Sequence, residues 1–348
     1  MGRTLEEARA RDKKYISCFK RYFCLWFLLF LGLVAGFLAL LRFVIVPTLS
    51  QNTINVAKVK VDGIAIMEPT NKLFKMSMNS SIFADPPVRC LMDPQTFDMH
   101  MHDDPSRAIF VRLPIGNLAV EKMMKVNVTG ADTQILNHEV YRSFAKQILV
   151  KDKLMLAIRS KPTIRIGPMP VEVKFRKNIT LKGFNGMKGI SLYNPNILPT
   201  PMPDGTNMLI DGMIPNFSSF SLQIGDLTTN ISAFGMDLGY SVIKDLTLRP
   251  GQNWVKVYNH IDPGLINFDL FTSLLSKENV NITLNMNSTV YNGQHVDWLE
   301  GPLRETSPYF ATLNPKGAGG LKAQEPATNG KVISLRSLRE TAGWLPWM

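Results

Sequence analysis

Two hydrophobic patterns divide the chain. From Tyr22 to Leu41 the sequence YFCLWFLLFLGLVAGFLALL runs for twenty residues without a charge. At ~1.5 Å rise per residue it spans roughly 30 Å, the thickness of a bilayer's hydrocarbon core. Arg42 interrupts the run and can snorkel to the headgroups; Phe43 to Val46 carry it on to Pro47. A buried core helix is seldom apolar on every side for this length, and a cleavable leader has a shorter apolar region ending in small residues. The pattern predicts an uncleaved membrane-spanning helix over 22–46.

From Val56 onward the period falls to two. Ala57/Val59/Val61, Ile164/Ile166, Phe220/Leu222/Ile224 and Val255/Val257 alternate with polar neighbours, and Val171 to Leu181 alternates throughout. Turn dipeptides Asp204-Gly205, Pro250-Gly251 and Pro263-Gly264 punctuate these runs. Helical spacing appears beyond the anchor only near Val140 to Leu149 and Ile266 to Leu275. Many short strands with few helices point to a mainly β body of antiparallel sandwiches.

The strand pattern also repeats. Gly63-Ile-Ala-Ile-Met-Glu-Pro-Thr70 resembles Gly189-Ile-Ser-Leu-Tyr-Asn-Pro-Asn196, a shift of 126 residues. At the same shift Phe144 meets Leu270, and Leu154, Leu156 and Ile158 meet Val280, Ile282 and Leu284. Pro114-Ile-Gly116 resembles Asp237-Leu-Gly239 at a slightly smaller shift. Two copies of one sandwich, each with a short helix, are the economical reading. The expected organisation is a basic N-terminus (1–21), the anchor (22–46), one repeat (47–186), a second (187–304), and a flexible tail (305–348). In that tail Pro315 to Gly330 is rich in Gly, Ala and Pro, and Lys331 to Met348 regains apolar residues.

Charge sets the orientation. The net charge is +11, and the eight Lys/Arg and three Asp/Glu up to Val46 contribute +5 of it. Arg3, Arg9, Arg11, Lys13, Lys14, Lys20 and Arg21 precede the helix, and after Arg42 the next basic residue is Lys58. The positive-inside rule then leaves the N-terminus in the cytosol and the body in a lumen or outside the cell, a type II topology. Seven Asn-x-Ser/Thr acceptors all lie beyond the anchor: Asn79, Asn127, Asn178, Asn216, Asn230, Asn281 and Asn287. Several fall opposite the apolar positions of their strands, on the wet face that a glycan needs. The remaining excess charge is too dilute for a nucleic-acid reader.

Candidate chemistry is sparse. Cys18, Cys24 and Cys90 have no zinc-ligand spacing; the first two flank the helix start, where acylation is conceivable, and Cys90 reads as a buried thiol. Asp98, His100 and His102 share parity on an extended segment and could face one ion, but nothing completes a coordination shell, so no metal or cofactor is assigned. No GxSxG, HExxH or phosphate-loop pattern positions a nucleophile, and no catalytic residue is assigned. The 18 methionines, all but Met1 beyond residue 66, suit an adaptable apolar surface or an ordinary core.

Tyr193-Asn-Pro-Asn196, Leu238-Gly239 and Val255-Lys-Val257 resemble late-embryogenesis-abundant group-two domains. The anchor, Met67-Glu-Pro-Thr70, Leu113-Pro-Ile115, Phe144 and Asn178-Ile-Thr-Leu-Lys-Gly183 resemble an uncharacterised fungal family of single-pass membrane proteins bearing lumenal repeats of that domain. The first unit departs from the family, with Glu-Pro-Thr in place of Asn-Pro-Asn. The resemblance implies a fibronectin-like sandwich, residence at a vacuolar or other endomembrane, and lipid handling. The leading functional expectation is therefore a non-enzymatic, membrane-anchored module that binds or transfers lipid. The alternative is a glycosylated scaffold for a protein partner in a lumen or at the cell surface.

Overall fold

A computed structural model of the chain describes residues 22, 23, 25–85, 90–167, 169–262, 264 and 279–314. Helix α1 (Leu25–Val56) is long and apolar enough to cross a membrane. It continues past Pro47. A mid-helix proline lacks an N–H and its ring crowds the carbonyl four residues back. The chain absorbs this in a π turn at Leu41–Ile45, where the Val46 N–H bonds Leu41 O, five residues back. Ser50 and Ile54 are buried, so the last turns of α1 belong to the body. Gln51 donates to Lys174 O (2.9 Å) and accepts from Lys174 N (2.8 Å), and Lys177 Nζ donates to Asn55 O (2.8 Å).

The body is mainly β. Its first half holds β1 (Lys58–Met67), β2 (Leu73–Phe83), β3 (Cys90–Met92), β4 (Gln95–Met101), β5 (Ile109–Ile115), β6 (Leu118–Val120), β7 (Met123–Gln134), helix α2 (His138–Val150), β8 (Lys153–Ser160), β9 (Thr163–Ile166), β10 (Met169–Glu172) and β11 (Phe175–Lys182). The second half holds β12 (Ile190–Ile197), β13 (Met208–Asn216), β14 (Phe220–Ala233), β15 (Met236–Leu248), β16 (Gly251–Ile261), β17 (Val280–Tyr291), β18 (Gln294–His295), helix α3 (Asp297–Thr306) and β19 (Tyr309–Asn314). The helical piece expected near Val140 is α2, opened by Asn137, whose side chain accepts from Val140 N at 3.1 Å. The piece expected at 266–275 lies outside the described residues, as do Cys18, Cys24 and the Gly-rich tail. The alternation over 171–181 survives, but the strand ends at Glu172 and the chain passes from one sheet to another.

The second half closes into a seven-stranded barrel rather than a two-sheet sandwich. Its circuit is β12–β13–β16–β15–β14–β17–β19, and β19 returns to β12 in parallel register, Ile190 opposite Ala311 through Tyr193 opposite Asn314. Closure needs residues 309–314, which the sequence pattern had assigned to the tail. It also needs bends in long strands, and two glycines supply them. Gly225 (φ +82°) and Gly239 (φ +122°) bring strands so close that a Cβ would meet Val290 O at 2.3 Å and His260 O at 2.1 Å.

The first half follows the same pairing order but stays ajar. Ladders join β1–β2–β7 and β5–β4–β8–β11. A single bridge, Val111 to Ile135, links β5 to the end of β7. β1 forms no ladder with β11; at its far end it pairs with β14, Ile64–Ile66 opposite Phe220–Leu222. The turn before β14 wedges that seam, Ser219 N donating to Lys182 O and Ser219 O accepting from Ile64 N. Glu68 (φ +50°) and Asn194 (φ +52°), 126 residues apart and each followed by proline, take the same left-handed conformation.

The halves are fastened by more than β1–β14. Trp298 of α3 meets Tyr141 of α2 edge-on (4.9 Å) and donates to Thr70 O (2.9 Å). Glu305 takes charged donors from Arg142 and Lys146 across the two helices.

A candidate apolar binding site inside the second barrel

Alternate residues of each barrel strand point inward. In the second half these are almost all aliphatic: Ile190 and Leu192 from β12, Ile210 and Ile214 from β13, Leu227 and Ile231 from β14, Ile243 from β15, Val255 and Val257 from β16, Ile282 and Leu284 from β17, Leu313 from β19. They enclose a cavity of about 100 Å³, with no aromatic ring among its described lining residues. In the first half Phe97 and Phe175 pack edge to face (5.0 Å), and Phe110 meets Phe144 at 4.9 Å and Tyr141 at 6.0 Å. The void beside these rings is about 10 Å³.

Three polar side chains reach the cavity wall, and each is already satisfied. Ser241 and Asn259 face each other across β15 and β16, with Ser241 Oγ to Asn259 Oδ1 at 2.5 Å. Asn259 Nδ2 donates to Met208 O and Val257 O, both at 3.2 Å. Thr229 Oγ1 donates to Asn285 O at 3.1 Å. With these donors spent on the protein, the cavity offers an occupant hydrocarbon contact and little else. An empty apolar cavity forfeits about 24 cal/mol per Å³, or roughly 2.4 kcal/mol at this size. Methionine serves both halves: Met76, Met78, Met92, Met99, Met101 and Met124 fill the first half's core, while Met187, Met208 and Met286 join the Ile, Leu and Val side chains of the cavity wall.

The other candidate residues are dispersed. Asp98 is paired with Arg112 (2.9 Å), His100 Nδ1 lies 2.6 Å from Arg107 O, and His102 is exposed. Among the described residues no group of three His, Cys, Asp or Glu could hold a metal. Cys90 is half-buried rather than fully buried, and desolvation raises its thiol pKa. A Ser–His–carboxylate contact exists at Ser288, His295 and Glu300, but both distances, 3.4 and 2.9 Å, run to the same Nδ1. A relay needs opposite ring nitrogens, so this contact is not one.

Of the seven acceptors, Asn79, Asn127, Asn178, Asn230, Asn281 and Asn287 are exposed. Asn216 is not: at 2% exposure its Nδ2 donates to Phe220 O (2.7 Å) and its Oδ1 accepts from Ser218. Its side chain is thus enclosed and hydrogen-bonded within the protein, unlike the other six. Asn216 lies at its strand's end, where the alternation stops: Ile214, Pro215 and Asn216 are all buried.

The family described as "Protein of unknown function (DUF3712)" matches residues 109–231, from β5 of the first half to β14 of the second. A comparison with curated proteins finds no match. Among solved structures, the chain is similar to a protein from Archaeoglobus fulgidus (12% identity, TM-score 0.22, 36% of this chain and 94% of that one). It is also similar to the YadV chaperone (9%, 0.20, 74% and 99%) and to the Salmonella enterica SafA pilin in complex with the SafB chaperone (10%, 0.19, 73% and 94%). TM-scores this low define neither fold nor function.

Proposed function

We propose that this chain is a membrane-anchored, non-enzymatic module whose second barrel holds an acyl segment or similar hydrocarbon. The cavity carries the reading: its wall is apolar and the polar groups that reach it are internally paired. An engineered cavity of about 150 Å³ lined by such side chains stays dry and binds benzene, so ~100 Å³ suits a few methylenes rather than a whole lipid. We take the two halves as copies of one unit, the first filled and the second kept hollow. On this reading the body lies in an endomembrane lumen or outside the cell, with glycans on some of the six exposed acceptors.

The test is native mass spectrometry of the full chain in detergent, after incubation with liposomes, beside Val257→Phe, which places a ring in the cavity. Co-purifying lipid on the natural chain and none on the variant is expected. A natural chain that stays lipid-free overturns the proposal.

The scaffold reading draws on a different observation, the fastening of both halves through β1–β14 and α2–α3 into one projecting body. Proximity labelling from the body's side of the membrane should then recover one dominant protein, and an empty result removes that reading.

A further inference from the structure

Arg159 and Arg176 are direct cross-strand partners on β8 and β11, and Asp98 of β4 lies opposite Arg159 on its other side. Like charges placed opposite one another in a sheet are destabilising. Arg107 adds a third positive charge: after burial, the charges of Arg176 and Arg107 pull the Arg159 guanidinium below its usual pKa. The nearby carboxylates are committed elsewhere, Asp98 to Arg112 at 2.9 Å and Asp104 to Ser106 at 2.7 and 2.8 Å. Among the described residues no carboxylate comes within ion-pair distance of Arg107, Arg159 or Arg176. Arg159 is held in place by Lys177 O (3.2 Å) and Asn178 Oδ1 (3.3 Å), and Arg176 is exposed beside it.

The cluster also has a defined height. Arg176 stands between Lys174, bonded to Gln51, and Lys177, bonded to Asn55. Those helix residues lie roughly 8–14 Å beyond Val46, the end of the apolar run. The headgroup layer is about 5–7 Å deep on each side of a bilayer, within reach of an extended arginine.

We propose that Arg107, Arg159 and Arg176 form a phosphate-binding site on the outer face of β11–β8, beside the exit of α1. Guanidinium forks match phosphate oxygens geometrically, and an anion there relieves the repulsion between the paired arginines. The lipid source of the phosphate rests on reading α1 as a membrane anchor; the site itself does not.

The full chain is placed in nanodiscs of phosphatidylcholine alone, the same with added phosphatidic acid, or phosphatidylcholine with inorganic phosphate in solution. Hydrogen exchange of β8 and β11 and tryptic cleavage after Arg176 are followed. Slowing of both by several-fold with phosphatidic acid only assigns a lipid headgroup; slowing with inorganic phosphate as well assigns free phosphate. The double variant Arg107→Gln/Arg176→Gln should lose the hydrogen-exchange effect. Arg176→Gln alone should raise Tm in pure phosphatidylcholine, because it removes an unpaired like charge. No slowing in any arm, slowing that survives in the double variant, or a fall in Tm for Arg176→Gln overturns the proposal.

Discussion

The two halves share an order of strand pairing and differ in what fills them. In the first, the ring of strands is interrupted at β1–β11 and nearly so at β5–β7, and the interior is packed with Phe97, Phe110, Phe175, Tyr141 and Phe144. In the second, every one of the seven barrel strands is laddered to two neighbours, and the interior is largely aliphatic around a cavity. The difference has a mechanical cause. A hydrogen-bonded ring fixes its own circumference, so its walls cannot collapse onto side chains too small to fill it. An interrupted ring has no such constraint and settles around its rings and α2. A void is therefore sustainable only in the closed half.

The largest test of this contrast is a matched pair of truncations. Phe110→Ala removes a ring that is 1% exposed from the packed half and should cost about 3–5 kcal/mol. Leu284→Ala removes atoms that already border a void and should fall near ~2 kcal/mol, the low end for such changes. Chemical denaturation of each variant reads both; equal losses would mean that the second interior is as tightly packed as the first. Closure itself is tested at Gly239. An alanine there combines φ +122° with a 2.1 Å approach to His260 O and should cost about 1–3 kcal/mol. Gly130→Ala, at φ +57° with nothing within 4 Å of its Cβ, should cost about 1–2 kcal/mol from conformation alone.

Overfilling should then act with opposite sign in the two halves. Val257→Phe enters the cavity and should recover part of the roughly 2.4 kcal/mol that emptiness costs. Leu156→Phe has no such space and should destabilise by about 1–3 kcal/mol. A loss at both positions would show that the second barrel cannot accept added volume, and the proposed hydrocarbon site would fall with it.

The β character, the long apolar helix α1 and α2 were legible in the sequence because each rests on a local pattern of apolar positions. Glu68 and Asn194, which share a left-handed conformation, sit inside the two segments that resemble one another at a shift of 126 residues. Closure was not legible. It depends on which strands far apart in sequence become neighbours, and the parallel return of β19 to β12 spans more than a hundred residues. Gly225 and Gly239 were the local trace of it, since a glycine inside an alternating strand marks a bulge. Composition marked the cavity only weakly: six buried methionines pack the first half, and three more, Met187, Met208 and Met286, line the cavity beside the aliphatic residues that dominate it. No periodicity distinguishes an aliphatic wall facing a void from one facing other side chains.

The smallest expected effect concerns the rim of the closed barrel. The turn between β12 and β13 is held by Asp204, whose Oδ1 accepts from Thr206 N (3.0 Å) and whose Oδ2 accepts from Lys244 Nζ (3.2 Å). The Thr206 hydrogen bonds, and after them Lys244, lower its carboxyl pKa from 3.8 to about 2. A carboxylate with a depressed folded-state pKa contributes stability that is complete above its ordinary value and disappears as pH falls through the lower one. This contribution should therefore fade between pH 3.8 and about 2. Asp204→Asn keeps the Thr206 acceptor and removes the charge, so it should lower Tm slightly at neutral pH and flatten the acid limb of the Tm profile. Asp62→Asn provides the comparison in the first half, where Lys60 is the main cause of a smaller depression. Thermal melts of both variants across the acid range decide the matter. If Asp62→Asn flattens the limb more than Asp204→Asn, the electrostatic clasp that matters holds β1 of the open half, not the rim of the closed one.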